Sequence, residues 1–337
     1  MLKGTDILEN EIIKQYPDVL ERLLKDHTTK KNILWSTNNY EYLGETYSSD
    51  SHIFPDLITG DNGNIIMPRV NKEKIQQQTR SKEMAEIFTP SWICNAQNNL
   101  IDNNWFGREN VFNMEILSDE RSNTWETNKQ KITYPEGKTW KDYIREKRIE
   151  IACGEAPYIT SRYDTTTGDF IPIENRIGFL DRKLRIINEN IEATGDWLKA
   201  AQTAYKNTYA YEWQGDSLLL AREAMLISFV ENYQYKFRED PLLKSIQYIA
   251  YIISWNAWQM DGLKGVIPNS CGNKLETIFD LFGNYNTKTA CKGCLINNIF
   301  KHDGIYCLIK DWSNKDLITG RAGREIKFVD LLNKQKI

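Results

Sequence analysis

The sequence predicts an α/β protein built on a Rossmann-like, doubly wound sheet, and two stretches of the chain carry this prediction. In Arg148–Tyr163, a short strand, Ile149-Glu150-Ile151, runs into a turn of small residues, Ala152-Cys153-Gly154-Glu155-Ala156. Further on, a strand-like run ending in Glu212 and Trp213 precedes a long helix over 216–233. Small residues after one strand let the backbone approach a ligand, and an acid after the next accepts hydrogen bonds from it. This order predicts a nucleotide-type cofactor site.

Composition limits the classes of protein that remain. With 337 residues, of which 41% are hydrophobic, the chain can bury a substantial core. Its net charge of -3 gives no overall attraction to polyanions, so contact with DNA requires a local basic surface or a partner. We expect a cytoplasmic protein with no membrane contact, because no apolar run reaches membrane-spanning length and acids occupy the N-terminal stretch. The six scattered cysteines predict reduced thiols.

We predict a helical and irregular N-terminal extension over 1–80 and an α/β domain over 81–337, with a cysteine-bearing insertion near 268–307. The extension begins with two short helices separated at Pro17, the second starting at Asp18. A polar stretch follows, with a hairpin expected around Gly60-Asp61-Asn62-Gly63. The charged segment 72–86 predicts a solvated helix or a linker.

The α/β region is predicted to begin with an amphipathic helix. Thr89 is expected to cap it and Pro90 to occupy its first turn, and its apolar positions are Trp92, Ile93, Ala96, Leu100 and Ile101. Later elements follow from periodicity: a polar insertion over 118–138, a helix over 176–197, a buried helix over 242–258 or a helix there that runs into a strand, and strands over 305–312 and 326–332. Asp261 before Gly262 favours a cap for the next element, with a contact to an adenine amine as the alternative.

The cysteines of the last third form a candidate metal site. Cys291-Lys292-Gly293-Cys294 is a Cys-x-x-Cys knuckle, with Cys271 upstream and either His302 or Cys307 downstream as the fourth ligand. Such a set fits a four-ligand zinc site. Because only one such pair is present, a thiol pair without metal remains the alternative.

Three motifs stand in one order: Phe88-Thr89-Pro90 before a helix, Glu150 to Ala156 after a strand, and Tyr211-Glu212-Trp213 after another. In this order the chain resembles the class I S-adenosylmethionine-dependent methyltransferases, and within them the adenine-N6 DNA methylase (M) subunits of restriction-modification systems. In that family the first strand ends in Asp-Pro-Ala-Cys-Gly-Ser-Gly. Here Glu150 stands for the Asp, Ala152-Cys153-Gly154 match, and Ala156 replaces the last Gly. The resemblance covers roughly residues 80 to 265.

The resemblance implies S-adenosylmethionine as cofactor and DNA as partner. Phe88, Thr89 and Pro90 would lie at the methionine end of the cofactor. Glu150 and Gly154, with Ala152, Cys153 and Ala156, would form the loop around its methionine and sugar. Glu212 would bind the ribose hydroxyls, Trp213 would lie beside the adenine, and Asp261 is a weaker match to the acid that contacts the adenine amine.

The chain departs from the family at its catalytic motif, because no Asn/Asp-Pro-Pro-Tyr/Phe/Trp tetrapeptide occurs in it. That loop accepts hydrogen bonds from the target amine and stacks an aromatic ring on the flipped base. Glu155-Ala156-Pro157-Tyr158 is the nearest imitation, with Glu155 as acceptor and Tyr158 as the ring. We favour another interpretation, in which Phe328 to Leu332 is the fourth strand or its approach and a second protein subunit supplies the catalytic loop and target recognition. The alternatives are a catalytically silent scaffold or DNA-binding module and, more weakly, a nuclease subunit.

Overall fold

A computed structural model of the chain describes residues 9–72, 89–116, 123–272, 274–280, 283–316, 320 and 322–333. In chain order the helices are α1 (Glu9–Gln15), α2 (Val19–Leu24), α3 (Ser91–Phe106), α4 (Trp140–Arg145), α5 (Phe179–Asn190), α6 (Thr194–Lys206), α7 (Gly215–Phe237), α8 (Leu243–Asn256), α9 (Lys292–Leu295) and α10 (Asp330–Asn333). The strands are β1 (Asn113–Ile116), β2 (Thr124–Thr127), β3 (Arg148–Ile151), β4 (Thr208–Glu212), β5 (Ala257–Gln259), β6 (Lys274–Asp280), β7 (Gly283–Thr289), β8 (Leu308–Lys315) and β9 (Ala322–Lys327).

The fold is mixed α/β, and its centre is a three-stranded parallel sheet in the order β3-β4-β5. Ile151 of β3 lies opposite Tyr211 of β4, which in turn lies opposite Trp258 of β5. The α5–α6 pair connects the first two strands, and α7–α8 connects the next two. The predicted strand at 149–151 is present, and the predicted strand-like run that includes Trp213 ends one residue earlier, at Glu212. Of the two alternatives for 242–258, the structure has the helix that runs into a strand.

Helix α7 is the centre of the core. All of its residues from Gly215 to Val230 are buried, so this part of the helix has no face exposed to solvent. Helices α5, α6 and α8 pack around it. The Trp197 ring of α6 lies tilted against Phe229 and edge-on to Tyr233, both of α7. The predicted helix over 176–197 is therefore two helices, α5 and α6, separated at residues 191–193.

The N-terminal segment packs into the same apolar cluster as the later helices. Its two predicted helices are confirmed as α1 and α2, with Asp18 at the second N-cap. The predicted hairpin is wrong, because Gly60–Asn62 forms one turn of 3₁₀ helix and no strand flanks it. Residues 73–88, including Phe88 and most of the predicted charged linker, lie outside the described residues.

Helix α3 is present, but its predicted buried face is wrong. The buried residues are mostly polar, among them Asn95, Asn98 and Asp102, whereas Leu100 is 70% and Ile101 is 52% exposed. The polar side turns inward because buried partners from β1, β3 and α5 satisfy its side chains. The helix starts at Ser91 with Pro90 as N-cap, so Thr89 is not the capping side chain.

The remaining strands form antiparallel pairs: β1 with β2, β6 with β7, and β8 with β9. The pair β6–β7 lies within the predicted cysteine-bearing insertion. Phe328 to Leu332 is not a fourth strand. Strand β9 ends at Lys327, the short helix α10 follows, and the Phe328 ring packs against Tyr211 and Trp258.

None of the helices in the described part of the chain combines the length and the apolar character needed to cross a membrane.

Candidate functional site

A cavity of about 720 Å³ lies at the carboxyl ends of β3 and β4. Its size is in the range of small-molecule sites, and the carboxyl ends of parallel strands are where such sheets bind ligands. The lining residues come from the segment before α3, from α3, from β3 and its flanking residues, from the end of β4 and from the starts of α5 and α7: Thr89, Gln97, Asn98, Ile101, Lys147, Arg148, Ile149, Glu150, Ile151, Ala152, Cys153, Gly154, Pro157, Tyr158, Phe179, Glu212, Gln214 and Ser217.

The loop after β3 is tight, and three of its residues have a left-handed backbone conformation. Ala152, Gly154 and Ala156 all have positive φ, at 47°, 52° and 59°. Only glycine adopts this region without strain, so the two alanines are held there by their surroundings. The backbone bonds of Cys153 N–H to the Tyr211 carbonyl, 3.0 Å, and of Ala156 N–H to the Cys153 carbonyl, 2.7 Å, fix this shape. The loop therefore presents its backbone to the cavity in a preformed conformation.

Two buried carboxylates flank this loop. Glu212 accepts hydrogen bonds from the N–H groups of Gly154 and Trp213, both at 2.8 Å, and of Gln214 at 3.2 Å. Glu150 accepts them from the N–H groups of Tyr158 at 3.5 Å and Ile159 at 3.2 Å. These bonds tie the acids to the backbone that surrounds the cavity.

Burial raises the pKa of both acids, although their backbone hydrogen bonds work against it. The charge of Glu212 also raises the pKa of Glu150. The two carboxylates thus share a site in which the second negative charge is costly. A positively charged ligand group bound in the cavity would favour the charged form of both.

The segment before α3 closes one side of the cavity. Thr89 lines it, and its carbonyl accepts a hydrogen bond from the Thr165 hydroxyl at 3.1 Å. Tyr158 lines it too, and burial raises the pKa of its phenol. The neighbouring Pro90 is the N-cap of α3 and lies outside the lining. Thr89 and the β3 loop, some sixty residues apart in sequence, are therefore neighbours in the fold.

Besides Pro90, four of the proposed site residues lie outside this lining. The Trp213 indole N–H donates to the Ser36 carbonyl at 3.1 Å. Asp261 accepts hydrogen bonds from the N–H groups of Leu263 and Lys264, so it caps its own turn, as its position before Gly262 favours. Ala156 is fully buried, and the Glu155 carboxylate bonds the Arg69 N–H at 2.7 Å and the Tyr163 hydroxyl at 2.6 Å. Of the imitation catalytic loop, only Pro157 and Tyr158 line the cavity.

The contribution of α3 to the site was not predicted from the sequence. Asn98 donates to the carbonyls of Tyr158 and Ile177, at 3.0 and 3.1 Å, and so fixes the segment that follows the loop. The inward-packing polar residues of α3 recur at helical spacing; they are Asn95, Asn98, Asn99 and Asp102. This polar stripe was visible in the sequence, but apolar residues are the usual guide to a buried face.

One face of β3 is uncovered in the described residues. Ile149 and Ile151 are 47% and 65% exposed, while Arg148 and Glu150 on the other face are buried. The same face of the sheet is covered at β5, where Phe328 packs on Trp258. In its hydrogen bonding, too, β3 has β4 as its one neighbour among the described strands. Ile149 and Ile151, together with the exposed Ile101 of α3, line the cavity and give it an apolar wall that is open to solvent.

The predicted metal ligands converge in a second place, beyond the end of β5. The ligand atoms of Cys271, Cys291, Cys294 and His302 all lie within 4.8 Å of one another. Cys307 is not part of this group. Its thiol is fully buried and donates to the Gln259 carbonyl at 3.4 Å, so of the two downstream candidates His302 joins the group and Cys307 does not.

Comparison with known proteins found no matching protein-family model, no matching curated protein and no matching solved structure.

Proposed function

We propose that this chain is the S-adenosylmethionine-binding part of a DNA adenine-N6 methyltransferase with a Rossmann-like, doubly wound sheet. The observation that carries the proposal is the convergence of Thr89, Gly154 and Glu212 on one cavity at the carboxyl ends of adjacent parallel strands. These residues belong to the three motifs of the methylase resemblance and are far apart in sequence. Sheets of this kind bind nucleotide-type ligands at that position.

The chemistry of the cavity suits this cofactor. A carboxylate has about four acceptor sites, and three backbone N–H groups use three of those of Glu212. The fourth is available for a ribose hydroxyl. The cofactor's sulfonium carries a positive charge, which offsets the cost of holding Glu150 and Glu212 ionised together. The tight loop at Gly154 lets the methionine portion approach the backbone closely.

The catalytic loop belongs to another polypeptide segment in this proposal. No Asn/Asp-Pro-Pro-aromatic tetrapeptide occurs in the 337 residues, so the group that accepts the target amine is missing from this chain. The exposed Ile149 and Ile151 of β3 and the exposed Ile101 of α3 give that segment an apolar surface to cover. A strand added beside β3 would extend the parallel sheet and bring the loop that follows it to the cavity.

Target recognition is assigned to the same partner. The chain's net charge of -3 gives no general attraction to DNA. A partner that supplies both the catalytic loop and the basic surface would complete the enzyme.

Calorimetric titration with S-adenosylmethionine tests the cofactor site. We expect the wild-type chain to bind, and Glu212→Ala to weaken binding by about tenfold or more, because a hydrogen bond to a charged group contributes roughly 1.5–3 kcal/mol. Glu231→Ala is the matched control. It removes another mostly buried acid, one that pairs with Arg162 and Arg176 and lies outside the cavity lining. Equal loss in both variants, or no binding by the wild-type chain up to millimolar cofactor, would contradict the proposal.

A second candidate function is a catalytically silent scaffold with the same fold. Trp213 bonds the Ser36 carbonyl and Asp261 bonds its own turn, so neither lines the cavity from which an adenine would have to be contacted. A folded wild-type chain that binds no cofactor would favour this alternative.

A further inference from the structure

We propose that Cys271, Cys291, Cys294 and His302 form a structural Zn²⁺ site. This site is separate from the cavity and independent of the proposed cofactor. The Cys271 sulfur lies 3.2 Å from that of Cys291 and 3.6 Å from that of Cys294. The His302 Nδ1 lies 3.4 Å from the Cys271 sulfur and 3.6 Å from each of the other two.

These separations are close to those that a tetrahedral zinc ion imposes. With Zn–S of about 2.3 Å and Zn–N of about 2.0 Å, tetrahedral angles place ligand sulfurs about 3.8 Å apart and sulfur and nitrogen about 3.5 Å apart. The three sulfur–nitrogen distances agree within about 0.1 Å, and the two sulfur–sulfur distances from Cys271 are about 0.6 and 0.2 Å shorter than the expected separation. A disulfide requires about 2.05 Å, so none of these pairs is bonded.

The backbone around the ligands is shaped for this cluster. Gly293 lies inside the Cys291–Cys294 knuckle, and a Cβ there would come within 2.6 Å of the His302 backbone nitrogen. A Cβ on Gly304 would come within 2.8 Å of the Cys271 Cβ. The Asp303 N–H donates to the Cys291 sulfur at 3.3 Å. The absence of a side chain at Gly293 and Gly304 thus lets the ligand segments approach one another closely, and the Asp303 amide contacts one of the ligand sulfurs.

The donor set indicates the metal and its role. Three thiolates and one imidazole are the soft and intermediate ligands that zinc takes, and four protein ligands leave no open position for a substrate. Binding Zn²⁺ releases the three thiol protons to solvent and leaves the site with a net charge of -1. The zinc is therefore structural rather than catalytic.

The site closes the base of the β6–β7 hairpin. Cys271 precedes β6 and Cys291 follows β7, so one ion joins the two ends of the hairpin to the Cys294 and His302 segment. That segment is tied back towards β5, since the His302 N–H donates to the Tyr306 hydroxyl at 2.8 Å and the Ile267 N–H donates to the Ile305 carbonyl at 2.8 Å. The zinc ion fixes the position of this hairpin on the parallel-sheet body.

Metal content and cobalt substitution test the site. The full chain purified without chelator should contain about one zinc per molecule, and the Co²⁺ form should show thiolate-to-cobalt charge transfer with tetrahedral d–d bands. Cys294→Ser, at the exposed ligand, should lower zinc retention at least tenfold. Cys307→Ser is the matched control, because this buried thiol lies outside the cluster and should leave the cobalt spectrum unchanged.

Metal removal tests the role. A chelator should speed amide exchange in 271–302 while β3, β4 and α7 keep their protection, and added Zn²⁺ should restore the slow exchange. Wild-type protein that carries no zinc and shows no tetrahedral cobalt spectrum would overturn the proposal. So would a Cys271–Cys291 disulfide in protein purified under reducing conditions, or a spectrum that Cys307→Ser abolishes and Cys294→Ser does not.

Discussion

Replacing Asp102 by Asn should destabilise the protein more than most single changes. The Asp102 carboxylate, on α3, bonds Arg148 of β3 and Arg182 of α5, each at 2.5 Å, and the Tyr143 hydroxyl at 2.8 Å. All three charged side chains are at most 5% exposed. The Asn variant keeps the shape but leaves two buried guanidinium groups without the carboxylate that they contact. Breaking a buried ion pair on one side costs about 3–5 kcal/mol.

Urea unfolding followed by circular dichroism measures this loss. With a slope of about 3 kcal/mol/M, the midpoint should fall by roughly 1 M or more. Asp196→Asn is the control, because its pair with Lys199 is exposed and contributes about 0.5 kcal/mol. A loss below about 1 kcal/mol for Asp102→Asn, or one no larger than that of the control, would refute this account of how α3, β3 and α5 are joined.

Two further predictions concern backbone space and pH. Gly195→Ala should stabilise the chain by about 0.5–1 kcal/mol, because nothing lies within 4 Å of the added methyl group. Gly215→Ala should destabilise it by about 2 kcal/mol or more, because the added Cβ would lie 2.0 Å from the Leu34 carbonyl oxygen. Thermal unfolding measures both changes, and equal shifts of the two unfolding temperatures would contradict the packing described around these glycines. The raised pKa of Glu150 means that the folded state binds its proton more tightly than the unfolded state, so its contribution to stability falls as pH rises from 4.5 through the folded pKa. Urea midpoints across this range should therefore decline relative to those of Glu150→Gln, and parallel pH curves would refute the shift.

The central sheet could be predicted from the sequence because local patterns determine its strands. The runs ending at Ile151 and Glu212 each combine a short strand with a following turn or helix, and both form as predicted. The two helices around Pro17 were predictable for the same reason, since proline interrupts a helical period. Such signals depend on neighbours in sequence and little on tertiary context.

The buried face of α3 could not be predicted from hydrophobicity. Its inward side chains are stable because Arg182 donates to Asn95 and Asn99, at 2.8 Å each, and because Asp102 binds two arginines. These partners lie about fifty to ninety residues further along the chain, so no local window contains them. The same limit explains why Cys307 was grouped with the metal ligands, since spacing alone does not show that its thiol points to Gln259.

The candidate site contains residues whose place was predictable from local sequence and residues whose place depends on distant partners. Glu150, Gly154 and Glu212 were predicted from strand-end patterns and line one cavity. Whether Trp213 and Asp261 would line it depended on side-chain direction, and their hydrogen bonds to Ser36 and to the 263–264 turn place them outside it. Strand order fixes where a loop emerges, whereas the bonds of each side chain fix where it points.

Hydrogen exchange with and without S-adenosylmethionine, read by mass spectrometry, tests the proposed function most directly. We predict slower exchange over 150–159, which contains the loop amide of Gly154, and over 212–217, which contains the end of β4. We predict no change over the β6–β7 hairpin. The effect should disappear in Glu212→Ala and persist in Glu231→Ala. Cofactor that leaves both segments unchanged, or protects a surface away from them, would contradict the assignment of this cavity.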